Sequence, residues 1–211
     1  MVEFRLSMEV FPDGGCLDRM VDFLDHKNKK IATGLAIELY LDPRTEQEIR
    51  EFREKIYQAG VTPVLGLMND KPHVSLAVIP ARDPQEILRL TAVFAPAISR
   101  MSVHFSAIGF FPTPDNVLFL YPAPSAELLD AHARFHEILV KNGIESSRYY
   151  DPAKWVPHLT LEINLPDDDF HLAISAAQKL FTPLHGSFTS IGVVAFRPIE
   201  YLDHFDLKEI E

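Results

Sequence analysis

Lys71-Pro72-His73-Val74-Ser75-Leu76-Ala77-Val78-Ile79 and Val156-Pro157-His158-Leu159-Thr160-Leu161-Glu162-Ile163 share one pattern: Pro, His, an aliphatic residue, a hydroxyl residue, Leu, then more apolar positions. A second copy arising by chance is on the order of one in a thousand at ordinary residue frequencies, so an internal repeat explains it better. Both runs are rich in Val, Ile, Leu and Thr and read as β-strands. Strand side chains alternate between faces. Val74, Leu76 and Val78 are therefore expected on one face and His73, Ser75 and Ala77 on the other. In the second copy Leu159, Leu161 and Ile163 oppose His158, Thr160 and Glu162. Each proline sits just ahead of its strand, where the missing N–H costs little.

One histidine beside a hydroxyl at a strand end is an ordinary surface pair. Two in matching positions allow more. If a two-fold axis relates the halves, both polar faces meet across one cleft and enclose two imidazoles and two hydroxyls. Imidazole titrates near neutrality and suits general acid and base work. Hydroxyls suit hydrogen bonding to the equatorial oxygens of a pentavalent phosphate.

On the motifs His73/Ser75 and His158/Thr160, spaced alike and 85 residues apart, the chain resembles the two-histidine (2H) phosphoesterases, which include 2′-5′ RNA ligase-like and cyclic phosphodiesterase proteins. The resemblance runs from about Thr33 to Leu207. It implies a metal-independent enzyme without cofactor, opening 2′,3′-cyclic phosphates of nucleotides or RNA ends, or making and breaking 2′-5′ linkages. His73 and His158 are then the catalytic pair, Ser75 and Thr160 bind phosphate, and Phe111 stacks on substrate. Two other readings stay open: a nucleotide-binding module without chemistry, and a phosphodiesterase for another small cyclic phosphate such as an ADP-ribose cyclic phosphate. Both motifs being intact argues against the first.

The chain has 211 residues, enough for one domain or two tightly joined lobes, and 47% of them are hydrophobic. No apolar run reaches bilayer-crossing length, so no membrane association is expected. Met1-Val2-Glu3-Phe4-Arg5 lacks the layout of a signal peptide, and Cys16 is the only cysteine. A cytoplasmic protein without intrachain disulfides or cysteine-based metal sites is expected. Lys plus Arg is 20 against 30 for Asp plus Glu, a net charge of −10. That balance disfavours duplex nucleic acid and favours a small nucleotide or a short RNA end. One chain can build the site, so a monomer is expected.

Hydrophobic periodicity predicts an N-terminal extension over 1–32, with a strand at Val2–Val10 and a helix at Leu17–Leu24. A strand follows at Gly34–Leu41, then a helix capped by Asp42 from Pro43 to Gln58, with Ile49, Phe52, Arg53, Ile56 and Tyr57 inward. Further helices are expected from Pro84 to Ala97, from Ser125 to Asn142 and from Pro166 to Phe181. Strands are expected at Met101–Phe111, Val117–Tyr121, 186–197 and 199–207. Leu39, Tyr40 and Pro43 match Leu120, Tyr121 and Pro124 at a constant offset of 81. The expected fold is α+β in one domain: two pseudo-symmetric lobes of antiparallel sheet (33–114 and 115–207), outer helices and a central cleft.

His132 and His136 have the i, i+4 spacing of a zinc pair, but His132 falls on the stripe with Leu128, Phe135 and Leu139, and core packing is the expectation. His26, His104, His171, His185 and His204 have no counterpart and are given no role. Tyr149 and Tyr150 precede the second motif and suit either base stacking or loop packing; Trp155 is read as packing. Lys71, Arg148 and Lys154 are nearby cations able to offset phosphate charge.

Overall fold

Apolar alternation and helix caps set the local elements. The computed structural model describes residues 32–68, 70–111 and 113–209. The expected N-terminal strand and helix, with Cys16, lie outside the described residues. The order is β1 (Gly34–Leu41), α1 (Pro43–Gln58), β2 (His73–Pro80), α2 (Pro84–Phe94), β3 (Met101–Phe111), β4 (Val117–Pro122), α3 (Ala126–Lys141), β5 (Leu159–Glu162), α4 (Asp167–Leu180), β6 (Leu184–Phe196) and β7 (Glu200–Asp206). Asp42 caps α1 as expected, accepting from the Thr45 amide at 3.0 Å and from its hydroxyl at 2.7 Å. Ser125 caps α3 through the Leu128 amide at 3.1 Å. The expected second helix is shorter: α2 ends at Phe94 and a 3₁₀ turn covers Ala95–Ala97.

All strand pairings are antiparallel, in the order β2-β1-β6-β3-β4-β5, with β7 added to β6. That order reads the same from either end once β1, β2 and β6 are exchanged with β4, β5 and β3. The sheet therefore does not divide where the chain does. β3 of the first half joins β4 and β5, and β6 of the second half joins β1 and β2. The helices cross over as well. Phe52 of α1 meets Phe181 at the end of α4 at 6.1 Å, and Phe94 of α2 meets Phe135 of α3 at 5.1 Å. One continuous apolar core results, running from Leu35 and Ile37 through Phe105, Phe188 and Ile191 to Leu120 and Leu161.

The register of the two halves matches position for position. Leu39 pairs with Val74 as Leu120 pairs with Leu159, and Glu38 pairs with Ser75 as Phe119 pairs with Thr160. Each His strand then carries one extra residue, Leu76 in β2 and Leu161 in β5. A bulge puts two residues opposite one and reverses the alternation beyond it. The expectation from unbroken alternation is corrected here. Ala77 and Ile79, not Val78, continue the core face begun by Val74 and Leu76. Glu162 likewise leaves the face of His158 and Thr160 and is fully buried. There it accepts from the Tyr57 hydroxyl and from the Val64 and Leu65 amides at 3.2 and 3.0 Å.

No helix among the described residues is long and apolar enough to cross a membrane.

Candidate active site

β2 and β5 are the two ends of the strand order, and the sheet curls until they lie close together. The two Pro-His segments lead into these neighbouring strands, near enough for the charge on His73 to act on His158. His73 opens β2, and His158 stands one residue ahead of β5. Each ring is anchored the same way. Nδ1 of His73 lies 2.7 Å from the Lys71 carbonyl, and Nδ1 of His158 lies 2.8 Å from the Val156 carbonyl. A carbonyl only accepts, so each Nδ1 carries the hydrogen and each Nε2 is left to work.

Beyond that shared anchor the two surroundings differ. Glu38, which neighbours Ser75 across β1 and β2, brings a carboxylate oxygen to 3.4 Å from His73 Nε2. Asp70 stands 3.6 Å from His73 Nδ1. Burial by itself would lower the pKa of His73; Glu38, Asp70 and the Lys71 carbonyl outweigh it and hold the imidazole above its ordinary value. Glu38 is also raised, mainly by burial, and accepts from the Tyr40 hydroxyl at 3.0 Å.

The position equivalent to Glu38 in the second half is Phe119. Its ring lies 5.5 Å from that of His158, and Phe111 meets the same imidazole edge-on at 4.9 Å. Burial lowers the pKa of His158, and repulsion from His73 adds to the fall; the Val156 carbonyl only partly opposes it. Matching glycines clear space for aromatic rings in both halves of the sheet. A Cβ on Gly109 would meet the Phe119 ring at 2.6 Å, and one on Gly192 would meet the Tyr40 ring at 2.5 Å.

Arg53, on the inner face of α1, ties the motifs together. It is 4% exposed and donates to Asp70 at 3.0 Å and to the Thr160 carbonyl in β5. One guanidinium therefore grips the segment before His73 and the strand after His158.

Of the residues expected at the site, Phe111 packs on His158, Tyr150 meets Ser75, and Thr160 lies in β5 opposite Phe119. Ser75 hydrogen-bonds the Tyr150 hydroxyl, and burial pushes that phenol up to about 12. Tyr149 instead stands 56% exposed, with the Arg148 guanidinium 5.1 Å from its ring centroid. His132 is buried and stacks on Trp155 at 3.8 Å between centroids, as core packing requires; burial holds its pKa down at about 4.

Glu38, Asp70, Arg53, Tyr40 and Phe119 carry no motif. Two did leave a trace. Glu38 is the only charge in the apolar run Gly34–Leu41, and Arg53 falls on the apolar stripe of its helix. A charge in such a place needs a buried partner.

No curated protein matches the chain. Among solved structures, Escherichia coli LigT complexed with 3′-AMP superposes with a TM-score of 0.57 at 15% identity, over 83% of this chain and 98% of that one. LigT complexed with NADP+ gives 0.56 at 16% identity, over 84% and 98%. The TT0787 protein of Thermus thermophilus gives 0.57 at 20% identity, over 84% and 100%. At these identities the likeness is one of fold. The sequence profile of the 2′-5′ RNA ligase superfamily matches residues 41–197, a span holding both His motifs, and the chain belongs to that superfamily.

Proposed function

We propose that the protein is a metal-independent phosphodiesterase that opens 2′,3′-cyclic phosphates of nucleotides or RNA ends. The observation that carries this reading is the pair of imidazoles anchored alike through Nδ1 but placed in opposite surroundings. Two titrating groups pushed apart are an acid and a base in waiting. His158 is the neutral partner, and its Nε2 takes a proton from water as the water oxygen attacks phosphorus. His73 is the protonated partner. As the bond from phosphorus to one ribose oxygen breaks, His73 Nε2–H gives its proton to that oxygen, leaving a nucleoside monophosphate. Ser75 and Thr160 hydroxyls donate to the phosphoryl oxygens as negative charge builds there. Glu38 and Asp70 keep His73 charged until the proton is needed. In the reverse direction, or in joining a 2′-5′ linkage, the two histidines exchange roles. The crystals of LigT with 3′-AMP and with NADP+ support a nucleotide-sized ligand for this cleft.

The test is a chromatographic or mass assay, in EDTA, over 2′,3′-cyclic nucleotides, an oligoribonucleotide ending in a cyclic phosphate, and an ADP-ribose cyclic phosphate. Turnover of a nucleotide or RNA end, lost in His73→Ala and His158→Ala, is expected. Turnover by His73→Ala at the wild-type rate overturns the reading. Turnover confined to the ADP-ribose compound overturns the substrate class alone.

A further inference from the structure

A cavity of about 390 Å³ opens beside the histidine cleft, on the His73 side and lined by neither histidine. Its walls are Tyr40 and Tyr201, with ring centroids 6.4 Å apart, and it also takes in Lys71, Arg50, Glu46 and Asp203. Tyr201 and Asp203 come from β7, the strand that stands outside the matched six. Its β7 wall therefore has no equivalent among the six matched strands.

The charges in it are unequal in availability. Arg50 is committed to Glu46 at 2.8 Å. The Lys71 ammonium makes no hydrogen bond or ion pair with any described residue and rests 4.1 Å from the Tyr40 ring centroid. A cation without a charged partner, in a cavity that also exposes the Tyr201 ring, suits a ligand with both an anion and a flat ring. The same residues hold the acid. The Tyr201 hydroxyl accepts from the Lys71 amide at 2.7 Å, the Lys71 carbonyl anchors His73, and Tyr40 donates to Glu38.

We propose that this cavity is a subsite for the nucleotide on the 5′ side of the cyclic phosphate, its base against the exposed Tyr201 ring and its linking phosphate at Lys71. The assignment rests on His73 being the acid of the proposed reaction. The leaving oxygen belongs to the ribose, so that ribose and whatever its 5′ carbon carries extend past His73 toward this cavity. The preferred substrate is then an oligonucleotide end, not a free mononucleotide.

The experiment is calorimetric binding of two product-like ligands, 3′-AMP and the dinucleotide ApAp with a 3′-phosphate, to the wild-type chain, Lys71→Met and Tyr201→Leu. The wild type is expected to bind ApAp at least about tenfold tighter, the scale of one stacked base. Either variant should bring that ratio close to one. Equal binding of the two ligands by the wild type, or a ratio unchanged in both variants, overturns the subsite. A wild type that keeps the binding preference but turns over no cyclic phosphate overturns the reaction and leaves the subsite standing. One that turns over cyclic phosphates but binds both ligands alike does the opposite.

Discussion

His73 and His158 occupy equivalent places in two halves whose registers match residue for residue, yet one ring is set among carboxylates and the other among phenylalanines. The backbone supplies the symmetry: the same proline, the same Nδ1 anchor on the carbonyl two residues back, the same bulge. Side chains at equivalent positions break it, Glu38 standing where the other half has Phe119. A fully symmetric pair would titrate together and give no reason for one ring to hold a proton while the other lacks it. A near-symmetric scaffold with unequal linings puts two like groups in opposite electrostatic surroundings.

The largest expected effect comes from removing either ring. His73→Ala and His158→Ala should each lower kcat/KM by about 10²–10⁴-fold, since positioned acid–base groups contribute that much. If either costs less than about tenfold, the two rings are not partners.

Next is Arg53→Leu, which leaves Asp70 buried without its partner and frees the Thr160 carbonyl. Breaking a buried pair from one side costs about 3–5 kcal/mol, readable in urea denaturation. A loss below about 1 kcal/mol would mean that the guanidinium does not clasp the two motifs.

Glu38→Gln acts on one side of the comparison only. In the proposed reaction the productive form has His158 neutral and His73 charged, so activity should rise with pH through the lowered pKa of His158 and fall through the raised pKa of His73. Removing the Glu38 charge lowers the pKa of His73. The alkaline limb of kcat/KM should move to lower pH while the acid limb shifts little. Movement of the acid limb alone would reverse the assignment.

Phe111→Ala is the mirror experiment. Opening the aromatic wall hydrates His158 and raises its pKa, so the acid limb should move to higher pH. The lost ring contact, about 0.5–1.5 kcal/mol, should raise KM for a nucleotide by no more than about tenfold. An unchanged profile would mean that Phe111 does not shield the base.

Most of the elements were legible in the sequence because each rests on local signals: alternation for β1, Asp42-Pro43 and Ser125 at helix starts, Pro-His ahead of the two short strands. The α+β fold class and the antiparallel sheet followed from them. The bulges at Leu76 and Leu161 were not legible, because an extra residue is defined only by the strand opposite. That is why Val78 and Glu162 were expected on the wrong faces. The exchange of β3 and β6 between lobes was hidden for the same reason, since chain order does not state pairing. Among the candidate residues, the repeated motif points to His73, Ser75, His158 and Thr160, whereas Glu38, Asp70 and Arg53 come in through contacts that only the folded chain creates. Asp70 lies three residues before His73, but Glu38 reaches it from 35 positions away.

The most direct test is a histidine titration of the free protein by nuclear magnetic resonance, with His73→Gln and His158→Gln used to assign the two imidazoles. Unequal linings predict that His73 titrates above the ordinary histidine value and His158 below it. Coincident titration of both rings, or the reverse order, would contradict the account.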